Sequence, residues 1–192
     1  MVLGCVVYRA ARLATPGVVV EGGVPGSFVF GELGGGTSPR AERLLATLTA
    51  AGLAATVAPA IRVTTWEKFV GYTGGAAVST LIRLPPDRIW ACVESRELAR
   101  LAMEETAAVG RAAGVPLPED TVTRLGALYA RMTPGTYPSL YYDLIAGKRH
   151  HREALDGTIV RLGRELGVPM PIWFTSYAAR KPYAAGEQRP SA

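Results

Sequence analysis

The stretch from Tyr137 to Trp173, YPSLYYDLIAGKRHHREALDGTIVRLGRELGVPMPIW, decides the fold, because most of the helical patterning and both histidines lie there. Pro138 fixes φ at a value that suits the first turn of a helix. Leu140, Leu144 and Ile145 then recur at helical spacing. The first half of the stretch therefore predicts a helix.

A second helical segment follows a charged corner that runs from Lys148 to Glu153. Its apolar positions recur at helical spacing: Leu155, Ile159, Leu162 and Leu166. Gly167 tolerates the positive φ that often ends a helix, and Pro169 prevents continuation. The charged corner is either a solvated turn or a functional site, and from spacing alone the solvated turn is favoured, because charge runs usually face water.

Composition narrows the classes of protein that fit. The chain has 192 residues, 48% of them hydrophobic, which is enough for one domain or for one domain and a fragment of another. The net charge is +5 with cations scattered among acids, which favours a small anionic substrate over a nucleic acid. Cys5 and Cys92 are far apart, which predicts buried thiols, no metal site and a reducing, cytoplasmic setting. No segment predicts a signal peptide or a membrane span.

Residues 1–60 predict short strands and one helix. The predicted strands are Val2–Tyr8, Val18–Glu21, Ser27–Gly31 and Leu53–Val57. Ser38 is a candidate N-cap for a helix that ends at Gly52. A dinucleotide site needs G-x-G-x-x-G between a strand and a helix, and this pattern is absent, since residues 34–36 have the wrong spacing. We therefore expect part of a Rossmann-like domain, without its cofactor fingerprint.

Residues 61–183 predict an all-helical domain, and residues 184–192 predict a disordered tail. The first helix, from Ile61 to about Leu84, contains three glycines, which indicates tight helix packing or a ligand close to the backbone. Ser95 is a candidate N-cap for the next helix, and Pro118 begins another. The fold class is thus an α/β fragment followed by an all-α domain.

Three sets of motifs resemble the ketopantoate reductase (2-dehydropantoate 2-reductase) family. The opening stretch contains P-S-x-x-x-D, then A-G-basic, L-x-G and G-V-P-x-P. Trp66-Glu67-Lys68 matches the family's W-x-K. The segments Pro16–Val19, Gly31–Leu33 and Ser38–Arg40 are similar to late strands of the family's nucleotide domain. The resemblance extends from about Val2 to Lys181.

The resemblance implies an activity, a cofactor and a partner. The activity is the NADPH-dependent reduction of a 2-keto acid, most specifically of 2-dehydropantoate to pantoate in pantothenate biosynthesis. The cofactor is NADP, although its binding residues are unknown because the fingerprint is absent from the chain. The expected assembly is a homodimer.

Lys68 is the principal candidate for catalysis. A keto acid gains charge on its carbonyl oxygen as hydride arrives, and an ammonium group can hydrogen-bond that oxygen and donate the proton. The resemblance gives Lys68 this role. The structural alternative is a lysine that merely extends its ammonium group to solvent from an apolar helix.

The other candidates follow from the resemblance and from departures from it. Ser139 and Asp143 match the family's substrate-side S-x-x-x-D, although the two residues would equally serve as an N-cap and a dipole-pairing acid. His151 stands where the family has a catalytic Glu. Tyr72 stands where the family has a substrate-binding Asn. These two departures leave the 2-keto acid open.

Two other functions fit the same residues. The chain could be a non-catalytic remnant that dimerises or binds a small ligand, or a different oxidoreductase that shares the two-domain plan. The strands of residues 1–60 would present unpaired edges and apolar faces, which predicts either association with another chain or poor solubility of this segment.

Overall fold

The structure is a computed structural model that describes residues 2–9, 11–21, 26–131 and 153–183. Its contacts divide the chain into two compact units, with the boundary after Lys68. The sequence places the change from strands to helices near residue 60, and the first helix of the helical part crosses this boundary.

The first unit is built on a three-stranded mixed sheet and a separate hairpin. Its elements are β1 (Leu3–Tyr8), β2 (Ala11–Thr15), β3 (Val18–Glu21), β4 (Ser27–Glu32), α1 (Pro39–Ala50) and β5 (Ala54–Val57). The sheet order is β1-β4-β5, with β1 antiparallel and β5 parallel to β4. The parallel pair is joined through α1, as the α/β prediction requires.

The predicted N-cap of α1 is confirmed. The Ser38 hydroxyl accepts a hydrogen bond from the Ala41 amide at 3.3 Å, and the chain leaves the helix through Gly52, which has φ 75°. A small core of Val6, Ala58 and Ile61 lies under the sheet.

The hairpin of β2 and β3 was only half predicted, because residues 11–15 show no clear alternation. Its turn is Thr15-Pro16-Gly17-Val18, in which Gly17 has φ 82°. Proline followed by glycine at the centre of a turn favours type II geometry, so this dipeptide is the signal that identifies the hairpin.

All regular elements described beyond residue 60 are helical. They are α2 (Ile61–Ile82), α3 (Pro86–Ala91), α4 (Val93–Ala112), α5 (Thr121–Tyr129), a π-helical turn (Glu153–Gly157), α6 (Thr158–Glu165), α7 (Pro171–Arg180) and a 3-10 turn (Lys181–Tyr183). Val78, Ile89 and Ala99 form one buried core cluster of the second unit. In this part of the chain, no helix has the length and apolar character needed to cross a membrane.

Three sequence predictions need correction. Helix α4 begins at Val93, and Ser95 does not cap it; the Ser95 hydroxyl instead donates to the Ile89 carbonyl at 2.7 Å and so closes the turn after α3. The short helix α3 was not predicted. Cys5 and Cys92 are free but exposed, not buried; Cys5 lies within β1 and Cys92 lies between α3 and α4.

Candidate functional site

Lys68 is a residue of α2, and its ammonium group lies at the carboxyl end of β1. Its Nζ donates a hydrogen bond to the Val7 carbonyl at 2.6 Å and lies 5.4 Å from the centre of the Tyr8 ring. The side chain is exposed, so the ammonium group is held in place without being buried. A cation fixed by one neutral acceptor keeps donors for a ligand, because an ammonium group has three N–H bonds.

The Tyr8 ring beside this ammonium group stays neutral over an extended pH range. Partial burial, and secondarily the charge of Glu67, raises the pKa of the Tyr8 phenol. The face of a neutral aromatic ring attracts a cation, so Tyr8 helps to orient Lys68.

Tyr72 lies one helical turn beyond Lys68 on α2 and is half-buried. Its charge would act on two neighbours in the second unit, Tyr129 and Arg180. The pKa of Tyr129 is raised, first by burial and then by Tyr72. The predicted contact of Tyr72 with substrate stays a prediction.

The remaining predicted site residues, Ser139, Asp143 and His151, lie outside the described residues. Their roles stay predictions. The described chain resumes two residues after His151, at the π-helical turn.

A buried ion pair fixes this π-helical turn. The Arg180 Nη2 atom lies 3.0 Å from Asp156 Oδ2, and the side chains are 4% and 2% exposed. Arg180 also donates to the Thr80 hydroxyl and, at 2.8 Å, to the Ser176 carbonyl. Burial lowers the pKa of Arg180, and the charges of Asp156 and Tyr72 oppose that shift. The pair ties α7 and α2 to the turn.

The sequence patterns do not predict this pair. Asp156 stands in an apolar helical period and Arg180 stands at the end of the last helix, which are ordinary positions for exposed charges. The available signal is weak: the neighbours of Asp156 at helical spacing, such as Ile159 and Val160, are buried apolar residues.

The glycines of α2 are explained by helix packing. A Cβ atom on Gly75 would lie 2.5 Å from the Tyr129 ring, and one on Gly74 would lie 2.4 Å from Met103. The Tyr129 hydroxyl donates to the Gly71 carbonyl at 2.5 Å. Of the two explanations left open by the sequence, side chains of α4 and α5 occupy the space, and no ligand is required there.

Helix α7 is anchored by a second buried network. Glu105 accepts hydrogen bonds from the Ile172 and Trp173 amides at 2.8 and 2.9 Å, at the start of α7. The Trp173 indole N–H donates to the Thr106 hydroxyl at 2.9 Å. Burial raises the pKa of Glu105, against the two amide hydrogen bonds that lower it. These contacts fix the helix that supplies Arg180.

The glycine-rich loop after β4 does not fit a dinucleotide phosphate. The Gly35 amide donates to the Glu32 carbonyl at 2.9 Å, and the Gly36 amide donates to the Pro59 carbonyl at 2.8 Å. Beside the start of α1, the Glu32 carboxylate accepts hydrogen bonds from the Ser38 hydroxyl and the Arg40 guanidinium. These hydrogen bonds lower the pKa of Glu32 to about 2. The two loop amides and the Ser38 and Arg40 donors are therefore already engaged by acceptors of the chain.

A cavity of about 490 Å³ lies beside α6 and α7 in the second unit. Its lining includes Thr158, Arg161, Arg164 and Tyr177. Neither Lys68 nor Tyr72, the two predicted site residues that the structure describes, contributes to it. Arg161 is paired with Glu165 at 3.2 Å, and Arg164 lies 5.3 Å from the Phe174 ring centre, so both cations are engaged.

The architecture defines a class: a mixed α/β unit followed by a helical unit, with a positioned lysine near the junction in sequence. Residues 60–184 match the sequence model of the family described as ketopantoate reductase PanE/ApbA C terminal. The chain belongs to the ketopantoate reductase family.

Relatives and solved structures agree with this assignment. The chain is 33% identical over 175 residues to a 2-dehydropantoate 2-reductase of Mesorhizobium japonicum. The aligned region covers 88% of the chain and 51% of the relative. It is 27% identical over 172 residues to the enzyme of the same name from Halobacterium salinarum, which covers 90% of the chain and 56% of the relative. The chain spans about half the length of these relatives.

A crystal structure of a PanE/ApbA family ketopantoate reductase from Ralstonia eutropha JMP134 matches with a TM-score of 0.83 and 30% identity, over 95% of this chain and 59% of that one. A complex of D-mandelate dehydrogenase with NADH matches with a TM-score of 0.83 at 22% identity, which shows a shared fold. The predicted fold class is confirmed.

Proposed function

We propose that this chain forms the substrate side of an NAD(P)-dependent 2-keto acid reductase, with 2-dehydropantoate as the first substrate to test. The observation that carries the proposal is the exposed Lys68 ammonium group held at the carboxyl end of β1 by the Val7 carbonyl. The family assignment supports a keto acid as the substrate class.

The proposed reaction places one proton and one hydride on the keto group. The Lys68 ammonium group hydrogen-bonds the carbonyl oxygen and transfers a proton to it as the carbonyl carbon accepts hydride. Lys68 is left neutral and regains a proton from water, and the product is a 2-hydroxy acid. The hydride donor must be held outside the described residues, because their one glycine-rich loop does not fit its phosphates.

The remaining roles follow the family pattern. Ser139 and Asp143 hold the substrate, and Tyr72 contributes a hydrogen bond. His151 takes the place of the family's catalytic Glu. Homodimer formation and the preference for NADP over NAD are parts of the same proposal.

Steady-state turnover tests the role of Lys68. The chain is co-expressed with the amino-terminal segment of the Mesorhizobium japonicum relative, and NADPH oxidation is followed with 2-dehydropantoate. Lys68→Ala is expected to lower kcat by about 100-fold or more, as removal of a positioned general acid does. Arg62→Ala removes an exposed cation from the same helix and is expected to leave kcat within about twofold.

Two results would reject parts of the proposal. An unchanged kcat in Lys68→Ala would remove Lys68 from the chemistry. Substrate binding without any turnover would favour the ligand-binding remnant over the reductase.

A further inference from the structure

Two cavities of the second unit meet at the side chain of Arg164. The larger, of about 490 Å³, lies beside α6 and α7, and a smaller one, of about 340 Å³, adjoins it. Val160 and Arg164 line both cavities. Together the cavities form one recess along α6, the α6 recess. Each volume lies in the range of about 300–1,000 Å³ that is usual for small-ligand sites.

The two halves of the α6 recess differ in chemistry. Apart from Arg164, the lining of the smaller half is apolar: Val160, Val168, Pro169, Met170, Pro171 and Phe174. The larger half adds polar side chains: Thr158, Arg161, Glu165 and Tyr177. A ligand that follows the recess therefore needs an apolar body and one polar end.

The apolar half offers surface that a ligand can cover. Val160 and Met170 are 3% and 7% exposed and form its floor. Phe174 is 48% exposed, and Val168 is half-buried. Covering these two side chains with an apolar group removes them from water, which favours binding.

Arg164 stands where the two halves meet, and its hydrogen-bond donors are available. Its guanidinium carbon lies 5.3 Å from the centre of the Phe174 ring. That contact engages the face of the guanidinium group, whereas the N–H bonds lie in its plane. In the described part of the chain, these N–H groups have neither a hydrogen-bond acceptor nor a carboxylate partner. The ring thus helps to hold a fork of donors for a ligand.

The charges of the recess favour a single negative charge on the ligand. Arg161 is paired with Glu165 at 3.2 Å, so its charge is balanced within the recess. Among the described residues that line the recess, Arg164 is then the one cation without a counter-ion. A planar guanidinium fork matches a carboxylate, which it can bind through two parallel hydrogen bonds.

We propose that the α6 recess binds a small monocarboxylate with an aromatic or branched aliphatic body. The carboxylate pairs with the Arg164 guanidinium group, and the apolar body lies against Val168 and Phe174. Such a ligand bridges α6 and α7 and stabilises the second unit by mass action. Binding at this recess does not depend on Lys68 or on the reductase function proposed above.

The alternative role of Arg164 is structural. A cation in the last turn of a helix interacts favourably with the helix dipole, and Arg164 lies in the last turn of α6. In that role its substitution changes the stability of the fold. It does not create a preference between a charged and an uncharged compound, so a matched pair of probes separates the two roles.

Phenylacetate and phenylacetamide are the matched probes, because they share a ring and differ in charge. Titration of the 192-residue chain, followed by its amide chemical shifts, measures both the affinity and the place of binding. Phenylacetate is expected to shift the amides of Val160, Arg164 and Phe174. It should bind at least tenfold more tightly than phenylacetamide, since hydrogen bonds to charged groups are the stronger ones.

Two variants of α6 should change the affinity in opposite directions. Arg164→Gln removes the charge and should weaken phenylacetate binding about tenfold, with little change for phenylacetamide. Glu165→Gln removes a carboxylate that competes for the cations of the recess, and should strengthen phenylacetate binding about threefold. A gain in affinity cannot come from a loss of folding.

Two controls locate the effect. Arg96→Gln removes an exposed cation of α4 outside the recess and should bind phenylacetate normally. Lys68→Ala should also bind it normally, which separates the recess from the proposed substrate site. Thermal unfolding of each variant shows that it is folded.

Several outcomes overturn the proposal. They are equal affinity for the two probes, unchanged phenylacetate binding by Arg164→Gln, and no binding of phenylacetate by the folded chain. Loss of phenylacetate binding in Lys68→Ala would place the probe at the proposed substrate site instead. Turnover of 2-dehydropantoate is a separate measurement, so failure of this site and failure of the proposed function are distinguishable.

Discussion

The two cations that matter most in this chain have opposite surroundings. Lys68 is exposed and has one carbonyl acceptor at 2.6 Å. Arg180 is 4% exposed and is held by a carboxylate, a hydroxyl and a carbonyl. A cation with unused donors can bind and protonate a ligand, whereas a cation with buried partners fixes helices. This difference in surroundings is why we propose a chemical role for Lys68 and a structural role for Arg180.

The largest expected effect is on the architectural cation. Arg180→Met leaves the Asp156 carboxylate buried without its counter-ion, and breaking a buried pair in this way destabilises by about 3–5 kcal/mol. Denaturant unfolding measures the loss. Arg161→Ala is the control, since its pair with Glu165 is exposed and is worth about 0–1 kcal/mol.

The double variant Arg180→Met with Asp156→Leu sharpens this test. Because it removes both charges, it should recover much of the stability that Arg180→Met loses. If the stability lost in the double variant equals the sum of the losses in Arg180→Met and Asp156→Leu, the two charges do not stabilise each other. Arg180 would then not be the structural cation that the contrast with Lys68 assumes.

A smaller effect is expected in the packing of α2. Gly75→Ala places a methyl group against the Tyr129 ring and should destabilise by about 1–3 kcal/mol in thermal or denaturant unfolding. Gly126→Ala is the matched control for Gly75→Ala, because its Cβ atom would lie 3.6 Å from Trp90, which is an ordinary contact. Alanine is the better helix former, so this control should be neutral or stabilising. Equal losses in both would show that the space at Gly75 is not filled.

The smallest effect concerns Glu32, whose pKa in the fold is about 2 instead of 4.5. A lowered carboxyl pKa adds stability above pH 4.5 that is lost as the pH falls toward 2. Glu32→Gln should therefore flatten the fall in stability across that range, measured by unfolding at each pH. An identical pH profile in both proteins would show that Arg40 and Ser38 do not hold the carboxylate in solution.

Most of the fold could be predicted from local sequence patterns. Short β-branched runs gave four of the five strands, and Ser38 and Gly167 marked helix ends that the structure retains. The hairpin strand β2 and helix α3 were missed because neither has a clear period. Ser95 was misassigned because its hydroxyl serves the preceding turn, a choice that tertiary packing makes.

The candidate site was predictable to a lesser degree. Lys68 stood out as a lone lysine on an apolar helix, and the family motif gave it a role that remains a prediction. The pair of Asp156 and Arg180 joins residues 24 positions apart, and no short-range pattern encodes such a contact.

Calorimetric titration of the 192-residue chain with 2-dehydropantoate tests the central claim most directly, because it needs neither cofactor nor partner. We expect measurable binding that weakens about tenfold or more in Lys68→Ala, since a charge-assisted hydrogen bond contributes about 1.5–3 kcal/mol. Binding by Arg62→Ala should be unchanged. Equal binding by the wild-type chain and Lys68→Ala, or no binding by a folded chain, would contradict the assignment of Lys68 to a substrate site.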